Sequence, residues 1–115
     1  ASVRKGADAM RDFARELDRL SPATLDDRVP QLEAARDRFA DAVRESSAAQ
    51  APALLADADR RLVSAWRDVD VAMRDVVGAA EANDPERYER ARGALVEVVA
   101  RVERAADRFA IAAAA

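Results

Sequence analysis

From Leu55 to Ala79, apolar side chains return every third and fourth residue without a miss: Leu55, Ala58, Leu62, Ala65, Val69, Ala72, Val76 and Ala79. A second run behaves the same way through Tyr88, Ala91, Leu95, Val98, Val102, Ala105, Phe109 and Ala112. Alternating steps of three and four keep one stripe of a helix apolar and define a heptad seam, the pattern of left-handed helix packing. A strand needs alternation with period two, which these runs lack. A helix with a single apolar stripe must bury it against another element, so both runs require partners. In both, Leu or Val mostly alternates with Ala, and small residues at every second seam position let helix axes approach closely. Trp66, Met73 and Val99 lie beside the seams and widen the stripe. A helix with two neighbours needs that width; a two-stranded coil does not.

Two shorter runs share the period: Val3, Met10, Phe13, Leu17 and Leu20, then Leu25, Val29, Leu32, Ala35, Phe39 and Ala42 with Val43. Breaks separate the four. At Leu20-Ser21-Pro22-Ala23-Thr24, either Ser21 caps a helix with Pro22 in its first position, or Thr24 caps one with Asp27 three residues on. Pro52 suits a helix start after the Ser- and Ala-rich stretch from Ser46. At Asn83-Asp84-Pro85, Asn83 suits the left-handed residue that ends a helix, Asp84 the next cap, and Pro85 the first helical position. The reading is an all-α, antiparallel up-down-up-down four-helix bundle. Its helices fall at about 2–20, 24–47, 52–82 and 85–111 of a single domain spanning 1–115. Pro30 lacks the amide that would bond Asp26, so a kink or a short separate turn is expected there.

The third helix would be roughly 46 Å long and the first only about 28 Å, at 1.5 Å per residue. That mismatch, with Ala rather than Met at position 1, reads as a processed chain or a piece of a longer protein whose first helix begins upstream. The apolar tail from Phe109 reads as a helix stub or a frayed end. In this topology both termini lie at one end of the bundle. Such an arrangement suits a domain inserted between membrane helices or hung from an anchor, so membrane attachment would come through segments outside this chain. No apolar run in the sequence is long enough to span a bilayer.

The chemistry is narrow. With no cysteine and no histidine, thiolate metal sites, a Cys nucleophile, the usual general base and the commonest metal ligand are all missing. The seams carry no Asp or Glu, so a carboxylate-bridged metal pair inside the bundle is excluded. The serines have no imidazole base, and Gly6, Gly78 and Gly93 stand alone within helical runs rather than in a phosphate loop. Nineteen basic residues oppose 22 acidic ones for a net charge of −3, evenly distributed, which argues against nucleic acid as a partner. No catalytic residue, metal ligand or cofactor is assigned. Eighteen of the basic residues are Arg, with Lys5 the exception. That leaves one enzyme reading to weigh: small helical mutases of the chorismate mutase kind, which work with inward Arg, Lys and Glu. Here Arg60, Arg61, Arg67 and Arg74 fall on or beside the polar faces, which speaks against it.

The polar faces carry helix pairs three or four apart, such as Asp57 with Arg61, Asp70 with Arg74, Glu86 with Arg90 and Glu97 with Arg101, each worth roughly 0.2–0.5 kcal/mol. Arg61, Asp68 and Asp75 line one side of the third seam and are expected to pair with a neighbouring helix. Trp66, the sole Trp, and Tyr88, the sole Tyr, are the candidate binding residues. Trp66 suits the edge of the core, the floor of a ligand groove, or an anchor for a partner. Tyr88 suits a packed ring with its hydroxyl in water. Four amphipathic helices with coterminal ends are similar in architecture, not in motif, to extracytoplasmic sensor domains of bacterial receptors. The resulting expectation is a non-catalytic binding or interaction module of a cell-envelope protein, taking a small ligand or a protein partner. The alternative is a free-standing structural bundle that self-associates, for instance as a homodimer.

Overall fold

The computed structural model describes residues 2–21, 24–48 and 53–114. Pro22 and Pro52, expected at helix starts, lie outside that range, as do the side chains of Val3 and Ser46. Four helices run in order: α1 (Ser2–Asp18), α2 (Val29–Ala48), α3 (Ala56–Glu81) and α4 (Pro85–Ala114). Short 3-10 turns at Leu25–Arg28 and Ala53–Leu55 precede α2 and α3. Among the described residues there is no strand. The molecule measures 49 × 21 × 17 Å. Its long axis matches α4, whose 30 residues give a rod of about 45 Å.

The topology is the antiparallel up-down-up-down bundle. Phe39 faces Trp66 and Arg36 faces Asp70, so α2 and α3 run opposite ways, and Lys5 pairs with Glu45 at the end where α1 starts and α2 finishes. Seam residues form the core. Phe13, Leu32, Ala35, Phe39, Val69, Val76 and Ala79 are all fully buried, and the buried side chains form one continuous cluster. The α3–α4 pair shares the most extensive contact, then α1–α2, then α2–α3, while the backbones of α1 and α4 scarcely approach.

The α3–α4 turn follows from three residues. Asn83 adopts φ 49°, the left-handed conformation Asn tolerates better than most residues. That turn lets the Asp84 N–H reach Ala79 O at 3.1 Å and the Asn83 N–H reach Ala80 O at 3.0 Å, the paired bonds of a Schellman end. Asp84 then caps α4, its Oδ1 accepting from the Arg87 N–H at 3.1 Å, and Pro85 occupies the first helical position. Asn83 Oδ1 also accepts from the Leu25 N–H at 3.2 Å, which ties this turn to the start of the second hairpin arm. Of the two outcomes expected at Pro30, the short separate turn is the one found. The 3-10 turn ends at Arg28, and Pro30 falls in the first turn of α2, where no N–H partner is needed. The expected Thr24 cap is corrected: its side chain makes no capping bond, and the turn closes through backbone bonds instead.

Candidate functional site: the groove between α2 and α3

A groove of about 550 Å³ runs between α2 and α3. Phe39, Ala40 and Val43 of α2 and Trp66 and Val71 of α3 form its apolar surface, while Arg36, Arg44, Arg67, Asp70 and Arg74 supply its charge. The volume lies within the range of ordinary small-molecule sites.

Sequence position explains which residues face the groove. The residues that directly follow α3 seam positions, Trp66, Asp70, Met73 and Val77, turn inward or stand half-buried on the side of the second neighbour. Those that directly precede them, Arg61, Asp68 and Asp75, are exposed. The expectation that Arg61, Asp68 and Asp75 line an interhelix contact is therefore corrected. The pairing between helices runs through Asp70, because α2 lies on the other flank of the seam. Asp70 takes Arg36 across the gap at 3.3 Å and Arg74 from its own helix at 3.3 Å. Arg36 and Asp70 were legible in principle, since each directly follows a seam residue and their charges are opposite.

Trp66 is 1% exposed, so it forms the floor of the groove and offers no protruding surface. Its ring meets Phe39 edge-on, with centroids 5.6 Å apart at 62°, a favoured aromatic geometry. On the opposite side the ring presses on α1 at Gly6. A Cβ built on Gly6 would stand 2.9 Å from Trp66 Cη2, so the absence of a side chain there makes room for the indole. Gly6 carries no functional group, and nothing in the sequence alone marked this role.

Three buried polar atoms of residues that line the groove lack a hydrogen-bond partner: Trp66 Nε1, Arg36 Nε and Asp70 Oδ1. The Arg36–Asp70 contact is thus an ion pair by distance without hydrogen-bond alignment. Buried donors without acceptors are uncommon in folded proteins and call for an explanation. Arg44, on the rim, pairs with Asp41.

Tyr88 lies elsewhere, at the end of the bundle that holds the α3–α4 turn. It is 4% exposed, and its hydroxyl is buried without a partner. The expectation that this hydroxyl reaches water is corrected: the ring belongs to the buried core and its hydroxyl is covered with it. Burial raises its pKa above the usual 10.0, Arg92 opposes that rise, and Glu89 and Asp18 add to it. Trp66 and Tyr88 do not share a site. Among the described residues, no group of three or more His, Cys, Asp or Glu is placed to hold a metal ion, and no helix is long and apolar enough to cross a membrane. No protein-family model, curated protein or solved structure matches the chain.

Proposed function

We propose that the domain is a non-catalytic binding module whose α2–α3 groove takes an organic anion with an apolar body. The observation that carries this reading is a groove where four arginines stand against one aspartate and where Arg36 Nε is a buried N–H donor without an acceptor. A carboxylate or phosphate supplies the acceptor that this donor lacks, and guanidinium groups suit both. Phe39, Val43 and Val71 supply the apolar wall. A purely structural role for Arg36–Asp70–Arg74, fixing α2 against α3, accounts for the ion pairs but leaves Arg36 Nε unpaired and the excess of arginine unexplained.

The test uses Trp66 as the sole tryptophan. Titration with benzoate, phenylacetate and phenyl phosphate is expected to change Trp66 fluorescence saturably, with matching heat in calorimetry. Arg67→Ala, on the exposed rim, is expected to weaken binding by roughly ten- to a hundredfold, the worth of one charge-assisted hydrogen bond. Absence of saturation with all three anions at millimolar concentration rejects the reading. So does equal affinity in the variant. The start of α1 and the finish of α4 lie at one end of the bundle, an arrangement compatible with attachment to a cell-envelope protein from that side. Apolar stretches of about 20 residues flanking the domain in its gene are the expected sign.

A further inference from the structure

A second cleft opens where α1 and α4 stand apart. Met10 and Leu17 of α1, Met73 of α3, and Leu95 and Val99 of α4 line it, and its volume is about 190 Å³. Its polar lining residues are Asp18 and Arg92, which pair with each other at 3.3 Å. The two clefts therefore differ in charge. The α2–α3 groove has an excess of arginine, whereas here the charges cancel across the two helices. A charged ligand would have to break the Asp18–Arg92 pair and bury its own charge among aliphatic groups, which is costly. A neutral ligand need do neither.

Size and surface narrow the occupant further. An apolar cavity of about 150 Å³ in another protein stays dry and binds benzene, so this cleft has room for one ring with a methyl substituent. Thioethers are polarizable and favour the edges of aromatic rings, and both methionines of the chain lie here. We infer that the α1–α4 cleft is a binding site for a small neutral monocyclic aromatic molecule, separate from the anion groove. Val96 stands on its rim, 64% exposed, and leaves an apolar path from solvent.

The two methionines make the test specific. In the intact chain labelled with ¹³C at the methionine methyls, both signals come from the lining of this cleft. Toluene is expected to shift both saturably, with Trp66 fluorescence unchanged. Benzoate is expected to leave them in place. Ala14 lines the cleft and is itself exposed, so Ala14→Leu fills the space without disturbing the core. It is expected to keep the melting temperature and to weaken toluene binding by at least about tenfold. Methionine signals that stay fixed at toluene saturation overturn the inference. So do shifts of equal affinity in the wild type and Ala14→Leu, or a toluene response confined to Trp66. Because the anion groove is read by Trp66 and this cleft by the methionines, failure of either site is seen separately.

Discussion

The contact between Gly6 and Trp66 makes a sharp quantitative test of the packing, because one substitution can be compared at three helical glycines. Gly→Ala in a helix gains about 0.8–1 kcal/mol from propensity alone. At Gly93 nothing lies within 4 Å of the added Cβ, so Gly93→Ala is expected to realise that whole gain. At Gly6 the Cβ stands 2.9 and 3.0 Å from two Trp66 ring carbons, against an optimum of about 3.5–4.0 Å. The ring would have to retreat by roughly 0.5–1 Å to restore that optimum, yet it is 1% exposed and held edge-on by Phe39. Overpacking of this kind costs about 1–3 kcal/mol. The two variants share the propensity term, so Gly6→Ala should fall below Gly93→Ala by about 1–3 kcal/mol. At about 4 °C per kcal/mol for a chain of this size, the melting temperatures separate by roughly 4–12 °C. Gly78 is the control. Its added Cβ meets Arg87 Nη2 at 2.8 Å, but that is the tip of an exposed, flexible side chain that swings aside, so Gly78→Ala should resemble Gly93→Ala. Thermal and urea melts followed by circular dichroism give all three values, with Trp66 fluorescence as a second probe. Equal stabilisation by Gly6→Ala and Gly93→Ala would refute the packing of Trp66 against α1.

Three further outcomes follow from the same reasoning. Asn83→Gly keeps the left-handed turn and loses only the bond from the Leu25 N–H, whereas Asn83→Ala also takes on backbone strain of about 1–2 kcal/mol; chemical denaturation should therefore rank wild type above Gly and Gly above Ala. Tyr88→Phe removes a buried hydroxyl without a partner and is expected to be neutral or stabilising by up to about 1 kcal/mol. Because burial raises the folded-state pKa of Tyr88 above 10.0, ionisation of this group costs the fold nothing below pH 10.0 and lowers its stability as pH climbs through the raised value; Tyr88→Phe should flatten that alkaline decline. Glu33 of α2 is raised above 4.5 first by its hydrogen bond with Glu81 of α3, then by desolvation and by repulsion from Glu81 and Asp37, with Arg36 opposing. Glu81→Ala should bring the Glu33 carboxyl back toward 4.5 in a ¹³C-detected titration, and an unchanged midpoint would show that the two carboxyls do not meet.

The seams were legible because burial follows the heptad directly. Phe39, Val69 and Val76 sit where the period puts them, and Asn83-Asp84-Pro85 ends one helix and begins the next through chemistry carried by the residues themselves. What could not be read was which flank of each seam a second neighbour covers. That choice depends on the hand in which four helices close, and a stripe on one helix carries no such information. It is the reason that Asp70 rather than Asp68 faces α2. The Thr24 cap failed for a related reason. The chain there satisfies its amides through a 3-10 turn and through Asn83, which is 58 residues away and invisible to local capping rules. The role of Gly6 needed the position of Trp66 in space, because a missing side chain has no pattern of its own.

Residue size along the seams accounts for where the clefts lie. Ala65, Ala72 and Ala79 on α3 and Ala91 and Ala105 on α4 are buried in the core that this helix pair shares. Large side chains stand at the contacts where the clefts open. Phe39 and Trp66 stand between α2 and α3, and Met10, Leu17, Leu95 and Val99 stand between α1 and α4. Long side chains hold axes apart and leave space beyond their tips, whereas alanines leave none. Both candidate sites therefore lie where aromatic or long aliphatic side chains stand between two helices. The arginines beside one opening and the balanced Asp18–Arg92 pair beside the other then set the charge that each opening favours. Replacing Ala72 with Leu should push α3 and α4 apart and alter both clefts together, and a change in only one of them would separate their origins.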